Sequence, residues 1–478
     1  MGCGGEAVRS LWTATELRLE KFSRKSRSCY RLATAAVFCL QALSGAGEAA
    51  AAPTDPGVRG GAPAAGGPIS GVTSDELTYF QDGLASFLQA KMLADGLGPR
   101  FNLDSCGGCH AQPAAGGSSP AANPQPTVAT AYGAKNTVPS FVKPDGPVFA
   151  AHFKTFPDGS PDGQVHALFV ISGRVDFSDD ASGCTAVQEN FNQQYSNGNL
   201  ALRVPSPMFG GGLLQAVSDS ALKANLAANA QAKTQAGIAG RFNINPNGGS
   251  IMRFGWKAQI PSLLVFAGEA HNDEMGISNE IFPIEHDENP TCQFAPVPND
   301  LTVVDGFENL TPPLAVSLVQ QTALFMDFLA PPTPSTTTPG GSASIARGSE
   351  TFVSTGCALC HTPSLTTQAS TAVPALQSVT VNLFSDIALH KMGPGLADGL
   401  AQGSAAGDEF RTAPLWGLGQ RIFFLHDGRT KDLLAAIAAH ASPAGGGYGP
   451  SEANAVISAF ESLPPSQKQD LLNFLRSL

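Results

Sequence analysis

Apolar residues recur at helical spacing in several separated stretches of this chain, and two of these stretches run into the same pentapeptide. In "TSDELTYFQDGLASFLQAKML", Leu77, Phe80, Leu84, Phe87 and Leu88 share one helical face, and Thr73 with Glu76 has capping-box spacing. That helix leads towards "CGGCH", Cys106 to His110. In the second half "SIARGSETFVSTG" reads as a helix feeding "CALCH", Cys357 to His361. Two helical segments, "SEANAVISAFESL" and "SQKQDLLNFLRSL", close the chain. Within "HDGRTKDLLAAIAAH", Leu433, Ala436, Ile437 and His440 fall on one apolar face. Between the two halves "HALFVISGRVDF" predicts a strand pair and "ALKANLAANAQAKTQ" an Ala-rich helix.

The breaks in this pattern set the expected organisation. Residues 53–71 are rich in Ala, Gly and Pro and predict a disordered leader. "APPTPSTTTPGG", residues 330–341, reads as a linker. It separates an N-terminal domain over 72–329 from a C-terminal domain over 342–478. "RVPSPMFGGG" from Arg203 and "RTAPLWGLGQ" from Arg411 are similar enough to suggest two related halves.

Composition changes the picture in two ways. The 478 residues carry a net charge of −11 with only 14% charged residues, which gives nucleic acid no basic surface to meet. Gly and Pro together number 88, so long loops are expected. At the N-terminus, "RKSRSCYR" is basic, "LATAAVFCLQALSGAG" apolar, and "EAAAAP" small-residued; residues 1–52 therefore read as an export segment. The apolar run is too short and broken for a membrane span, and Phe38 spoils a lipidation box before Cys39. The mature chain is expected to be periplasmic and not membrane-spanning.

The pentapeptides carry the chemistry. Two cysteines with two residues between them suit zinc, a redox pair or a covalent cofactor, but a histidine directly after the second marks c-type haem attachment. The thiols Cys106, Cys109, Cys357 and Cys360 would hold two haems, with His110 and His361 as proximal iron ligands. Zinc would need a further CxxC or His pair near by, and neither half offers one. Cys184 and Cys292 are then left over, to pair in an oxidising compartment or to stay reduced; spacing does not decide. For the far side of the second iron, His390, Met392, His426 and His440 are the candidates.

In order along the chain, "GLGPRFNLDSCGGCH", "RFGWKAQIPSL", "MGPGLADG", "FRTAPLWGLG" and "FLHDGRTKDLLAAIAAH" resemble the di-haem oxidoreductases. These are relatives of bacterial di-haem cytochrome c peroxidases and of the enzyme that matures tryptophan tryptophylquinone. The resemblance implies a mainly α fold of two cytochrome c-like haem domains with long loops, to which the strand pair read above adds a small β insertion in the N-terminal half. It implies an electron-transfer haem in the C-terminal domain and a reaction centre in the N-terminal one. His440 stands fourteen positions after His426 of "HDG" and inherits the sixth-ligand role, with Met392 as runner-up. Trp256 inherits the position of the electron bridge and Glu274 that of the distal acid–base residue, with His271 competing. Phe266 occupies the place of the family's distal glutamine. Thr412 and Pro414 match a calcium-binding stretch, with Asn136 as the candidate third ligand. No histidine lies between His110 and His152, where switchable peroxidases carry a displaceable ligand, so an open N-terminal iron is expected.

The expected activity is a peroxidase-like reaction, with a small carrier such as a cytochrome c or cupredoxin as electron donor and hydrogen peroxide as oxidant. Two other readings remain at this point: a non-enzymatic di-haem electron-transfer cytochrome, and a di-haem oxygenase acting on an organic substrate.

Overall fold

The computed structural model describes residues 51–177, 179–286, 289–302 and 317–478; the export segment expected over 1–52 lies outside these except for its last two positions. The helix Ser74–Leu88 begins where its capping box predicts. The Thr73 hydroxyl accepts the Glu76 N–H and the Glu76 carboxylate accepts the Thr73 N–H. It packs across the helix Leu318–Phe328, itself capped by Ser317 and Gln320. The crossing is close because Gly83 lies in it: a Cβ there would stand 2.4 Å from the Gln321 carbonyl oxygen. One turn on, Phe87 packs against Phe325 at 4.8 Å between ring centroids and approaches the His110 ring at 6.2 Å.

The second half repeats the device. The helix Ser342–Ser354 crosses Pro465–Ser477, with Gly348 at the contact and the Asp470 carbonyl oxygen 2.0 Å from where a Cβ would sit. Phe352 then meets Phe474 at 5.5 Å and the His361 ring at 6.5 Å. In each half a Gly, followed four residues later by a Phe, brings a helix pair up to the histidine of the pentapeptide.

Strands are short and occur in both halves. A three-stranded antiparallel sheet has Ala150–Phe153 between Val165–His166 and Leu200–Arg203, with Ala151 opposite both His166 and Leu202. In the C-terminal half Leu389–Lys391 pairs with Glu409–Arg411, and Leu365–Thr366 with Thr380–Val381. The β structure is therefore not confined to an N-terminal insertion. The strand pair expected in "HALFVISGRVDF" does not form internally. Phe169–Val170 pairs with Arg100–Phe101, and Val175–Asp176 with Asp179–Asp180. The Ala-rich segment is two helices, Asp219–Ala227 and Ala230–Ala236, broken by Asn229 in the left-handed region at φ 56°.

Three large apolar cores and a small one around Ala258, Leu389 and Ala405 form among the described residues. One, containing Phe101, Phe169, Ile171 and Phe191, belongs to the N-terminal half and includes the Cys184–Cys292 disulfide. Another, containing Phe352, Leu433, Leu471 and Leu475, belongs to the C-terminal half. The largest draws on both, from Phe80, Phe87 and Phe325 to Leu383, Ile387 and Trp416. Residues 51–478 form one compact unit, and among the described residues no helix is long and apolar enough to cross a membrane.

The leader expected to be disordered is fastened instead. The Asp55 carboxylate takes two hydrogen bonds from the Arg476 guanidinium, at 2.7 and 2.6 Å, and one from the Leu433 N–H. Arg59 N–H donates to the Gly419 carbonyl, and Ile69 N–H to that of Phe328. The linker is tied down too, with Thr333 N–H on the Ala64 carbonyl and Ser335 N–H on that of Ser477. Low side-chain hydrophobicity predicted disorder, but backbone groups and one buried ion pair hold these stretches.

Candidate functional site

Each pentapeptide opens onto its own cavity. Cys106, Cys109 and His110 line one of about 580 Å³, within the ~300–1,000 Å³ common for cofactor pockets. Cys357, Cys360 and His361 line a narrower one of about 220 Å³. All four cysteines are free thiols. Burial pushes Cys106 and Cys357 up to about 12 and Cys109 well above its ordinary range, so they sit as neutral thiols.

The histidines are set up alike. His110 Nδ1 lies 2.9 Å from the Gly117 carbonyl oxygen and His361 Nδ1 lies 3.0 Å from that of Phe384. An Nδ1–H donated to a carbonyl fixes the tautomer and leaves Nε2 with its lone pair, the form that ligates a metal. Burial lowers both rings to about 4, so both are neutral near pH 7.

His440 faces the same cavity as His361, with its own Nδ1 2.8 Å from the Ala436 carbonyl oxygen; burial also lowers its pKa. Met392 lines this cavity as well. His390 does not compete as a ligand. Its Nε2 meets Asp386 at 3.0 Å and its Nδ1 meets Glu452 at 2.7 Å, so both nitrogens are spent on carboxylates. Although burial opposes it, those carboxylates hold the ring well above its ordinary pKa, as an imidazolium. His426 is stacked on Phe410 at 4.3 Å between ring centroids.

On the far side of the larger cavity runs the helix Leu263–Met275. Phe266, Ala270, Asp273 and Glu274 recur on its cavity-facing side at helical spacing. Glu274 accepts a hydrogen bond of 2.7 Å from the Asn102 amide, which itself accepts the Leu168 N–H through its oxygen. Burial pushes Glu274 up to about 7 against the pull of that bond. Glu269 lines the cavity too and is raised to about 8 by burial and by its neighbours Asp273 and Glu274. His271 is turned off this face. Its ring is buried with Nδ1 on the Ala267 carbonyl, and it is not among the residues lining the cavity. As a competitor to Glu274 it falls away.

Trp256 lines both cavities. Its indole N–H donates to the Val204 carbonyl at 2.9 Å, and its own carbonyl accepts the Arg411 N–H. Val204 lies one residue beyond the strand that ends at Arg203, and Arg411 ends a strand of the C-terminal half. The indole is thus clamped between the two segments whose sequences echo one another.

Asn136, the third ligand expected for calcium, is engaged elsewhere. The Asn136 amide nitrogen donates to the carbonyls of Ala129 and Val170, and its oxygen accepts the Val170 N–H. Its polar group is spent inside the N-terminal half. The Thr412 carbonyl already accepts Ser385 Oγ and an Arg411 N–H. Among the described residues no group of three His, Cys, Asp or Glu side chains is placed to hold a metal ion.

Three positions went unnoticed in the sequence. Glu269 is one helical turn before Asp273, a spacing that the sequence displays. His152 lines the N-terminal cavity with its Nδ1 3.0 Å from the Gly163 carbonyl oxygen, the arrangement of His110, His361 and His440. Arg421 lines the C-terminal cavity. Free thiols, neutral imidazoles with an available Nε2 and a void beside each form a donor set that fits two haems.

No curated protein sequence matches the chain. Among solved structures, hydrazine synthase of Kuenenia stuttgartiensis is 17% identical over 36% of this chain and 56% of its own, with a TM-score of 0.22. A MauG-like protein associated with microbial copper homeostasis is 15% identical over 57% of this chain and 90% of its own, with a TM-score of 0.28. At such TM-scores neither likeness carries an argument. A family model does: that of "Di-haem oxidoreductase, putative peroxidase" matches residues 149–478, through the second pentapeptide, Trp256, Glu274 and His440. The chain belongs to the di-haem oxidoreductase family.

Proposed function

We propose that this chain is an exported, periplasmic c-type di-haem oxidoreductase with peroxidase-like activity. In this reading the haem held by Cys357 and Cys360 transfers electrons and the one held by Cys106 and Cys109 meets the oxidant. The observation that carries it is the inequality of the two cavities on either side of Trp256. One sets the acids Glu269, Asp273 and Glu274 of a single helix in the lining with His110, and the other, smaller and more apolar, sets His440 in the lining with His361.

When bound, haem supplies the redox-active iron; the rest is the work of side chains. His361 and His440 would both hold the iron of the C-terminal haem, whose chemistry would be electron transfer, and His110 would hold that of the N-terminal haem. Glu274, near pKa 7, is suited to accept a proton from the near oxygen of hydrogen peroxide and to return it to the departing oxygen. A neutral leaving group then departs as water. Trp256 offers an aromatic path between the cavities, held at both its indole and its backbone. A small carrier protein such as a cytochrome c or cupredoxin would supply the electrons.

The basic, apolar and small-residue tracts within 1–52 support export, and the Cys184–Cys292 disulfide fits an oxidising compartment. The test is peroxide turnover by purified holoprotein with a reduced carrier. Glu274→Gln should lose turnover while keeping both haem spectra. Undiminished turnover in that variant would remove Glu274 from the reaction, and no turnover in the parent protein would favour the plain electron-transfer reading.

A further inference from the structure

Arg411 and Arg421 are buried neighbours, 8% and 9% exposed, and both line the C-terminal cavity. Neither forms an ion pair among the described residues. The Arg411 guanidinium donates only to the carbonyls of Gly255 and Thr412. The Arg421 guanidinium has no hydrogen-bond partner within the described residues. Burial lowers both to about 10, and the Arg421 charge lowers Arg411 further.

Two adjacent buried cations with no counter-charge are costly, since buried charges persist when an opposite charge pairs with them. The contrast with the other half is direct. Arg203, which occupies the place of Arg411 in the sequence echo, has its own carboxylate: it meets Asp398 at 2.6 Å and the Gln402 amide oxygen at 2.7 Å. Elsewhere the protein supplies acids to its buried arginines, as Asp176 does for Arg174 and Asp55 for Arg476. Beside the C-terminal cavity the acid in the lining, Glu452, pairs with His390, and neither Arg411 nor Arg421 receives one.

We propose that Arg411 and Arg421 bind the two ring carboxylates of the haem held by Cys357, Cys360 and His361. A haem brings two propionates on the edge away from its thiol-bearing pyrroles, and a guanidinium fork matches a carboxylate. The pair does two things. It supplies the missing counter-charge for haem insertion, and it sets positive charge beside the iron, which disfavours the ferric state and raises the potential. Because both arginines also border Trp256, the carboxylate edge of this haem would face the indole.

The assignment rests on haem occupying this cavity, and not on the peroxide reaction. The experiment is a potentiometric titration of the purified two-haem protein, following each haem by its spectrum. Arg421→Met should lower the C-terminal potential by more than it moves the N-terminal one, with the fold unchanged by circular dichroism. Arg421→Lys, which keeps the charge and loses the fork, should recover most of that shift. It should also move the propionate bands in the redox difference infrared spectrum, a readout that remains if Arg421→Met fails to fold. An unchanged potential with unmoved carboxylate bands would overturn the assignment. So would a wild-type potential that tracks added phosphate, which would mean that the arginines hold a free anion. A preparation without haem would remove the haem reading itself; haem present with the potentials unmoved would remove only this assignment.

Discussion

The two cavities start from the same pentapeptide and the same helix crossing, and they differ in what stands opposite the proximal histidine. The N-terminal cavity is the larger and meets the helix Leu263–Met275 with Glu269, Asp273 and Glu274. The C-terminal cavity is the tighter and mostly apolar, with His440 opposite His361 and two arginines lacking counter-ions. The thiols and the histidine are common to both; in the proposed function the rest of the lining decides between reaction and relay. A carboxyl group can move a proton but is a poor partner for haem iron, whereas a neutral imidazole can hold the iron and close it to small molecules.

The strongest way to break the contrast is to remove its acid. Glu274→Gln should lower peroxide turnover by ~10²–10⁴-fold, the range expected for one general acid–base group, while Glu269→Gln should cost clearly less. Steady-state turnover with both variants checks this, and equal losses would move the role onto the pair. Next comes the structure that supports the first cavity but not the second. Cys184 and Cys292 join the core around Phe101 across a separation of 108 residues. Replacing both by serine should cost about 2–5 kcal/mol in denaturant unfolding. The spectrum of the C-terminal haem should survive to higher denaturant than that of the N-terminal one.

The pH dependence sharpens the comparison further. Glu274, raised to about 7, and Glu269, raised to about 8, favour their protonated forms in the folded protein. Their contribution to stability is therefore complete below the ordinary carboxyl value of 4.5 and is lost as pH rises through about 7 to 8. Turnover should move the opposite way, rising through about 7 as the Glu274 carboxylate fills, and Glu274→Gln should abolish that rise. The smallest change concerns the second cavity alone. His440→Met should keep that iron six-coordinate while raising its potential, because a thioether favours the ferrous state more than imidazole does.

What the sequence made legible follows from how local each constraint is. Two cysteines and a histidine lining one cavity are written in five consecutive residues, and the presence of His440 beside His361 in one helical face. Gly83 with Phe87 and Gly348 with Phe352 were equally local. They escaped notice because the two halves place the pair at different distances from their cysteines. Asn136 misled because a side-chain amide looks the same in sequence whether it is free or spent, and here Ala129 and Val170 consume it. The leader misled because its anchor is remote: Asp55 and Arg476 lie 421 residues apart. Arg421 could not be read at all, since the absence of a carboxylate around it is a property of the folded cavity.

The inequality of the two irons is tested most directly by electron paramagnetic resonance of the fully oxidised holoprotein. The account predicts one high-spin ferric signal, from the iron on His110, and one low-spin signal, from the iron between His361 and His440. Two low-spin signals would contradict it and would turn attention to His152, a further imidazole that lines the N-terminal cavity, since His286 there has its Nε2 on Asp273.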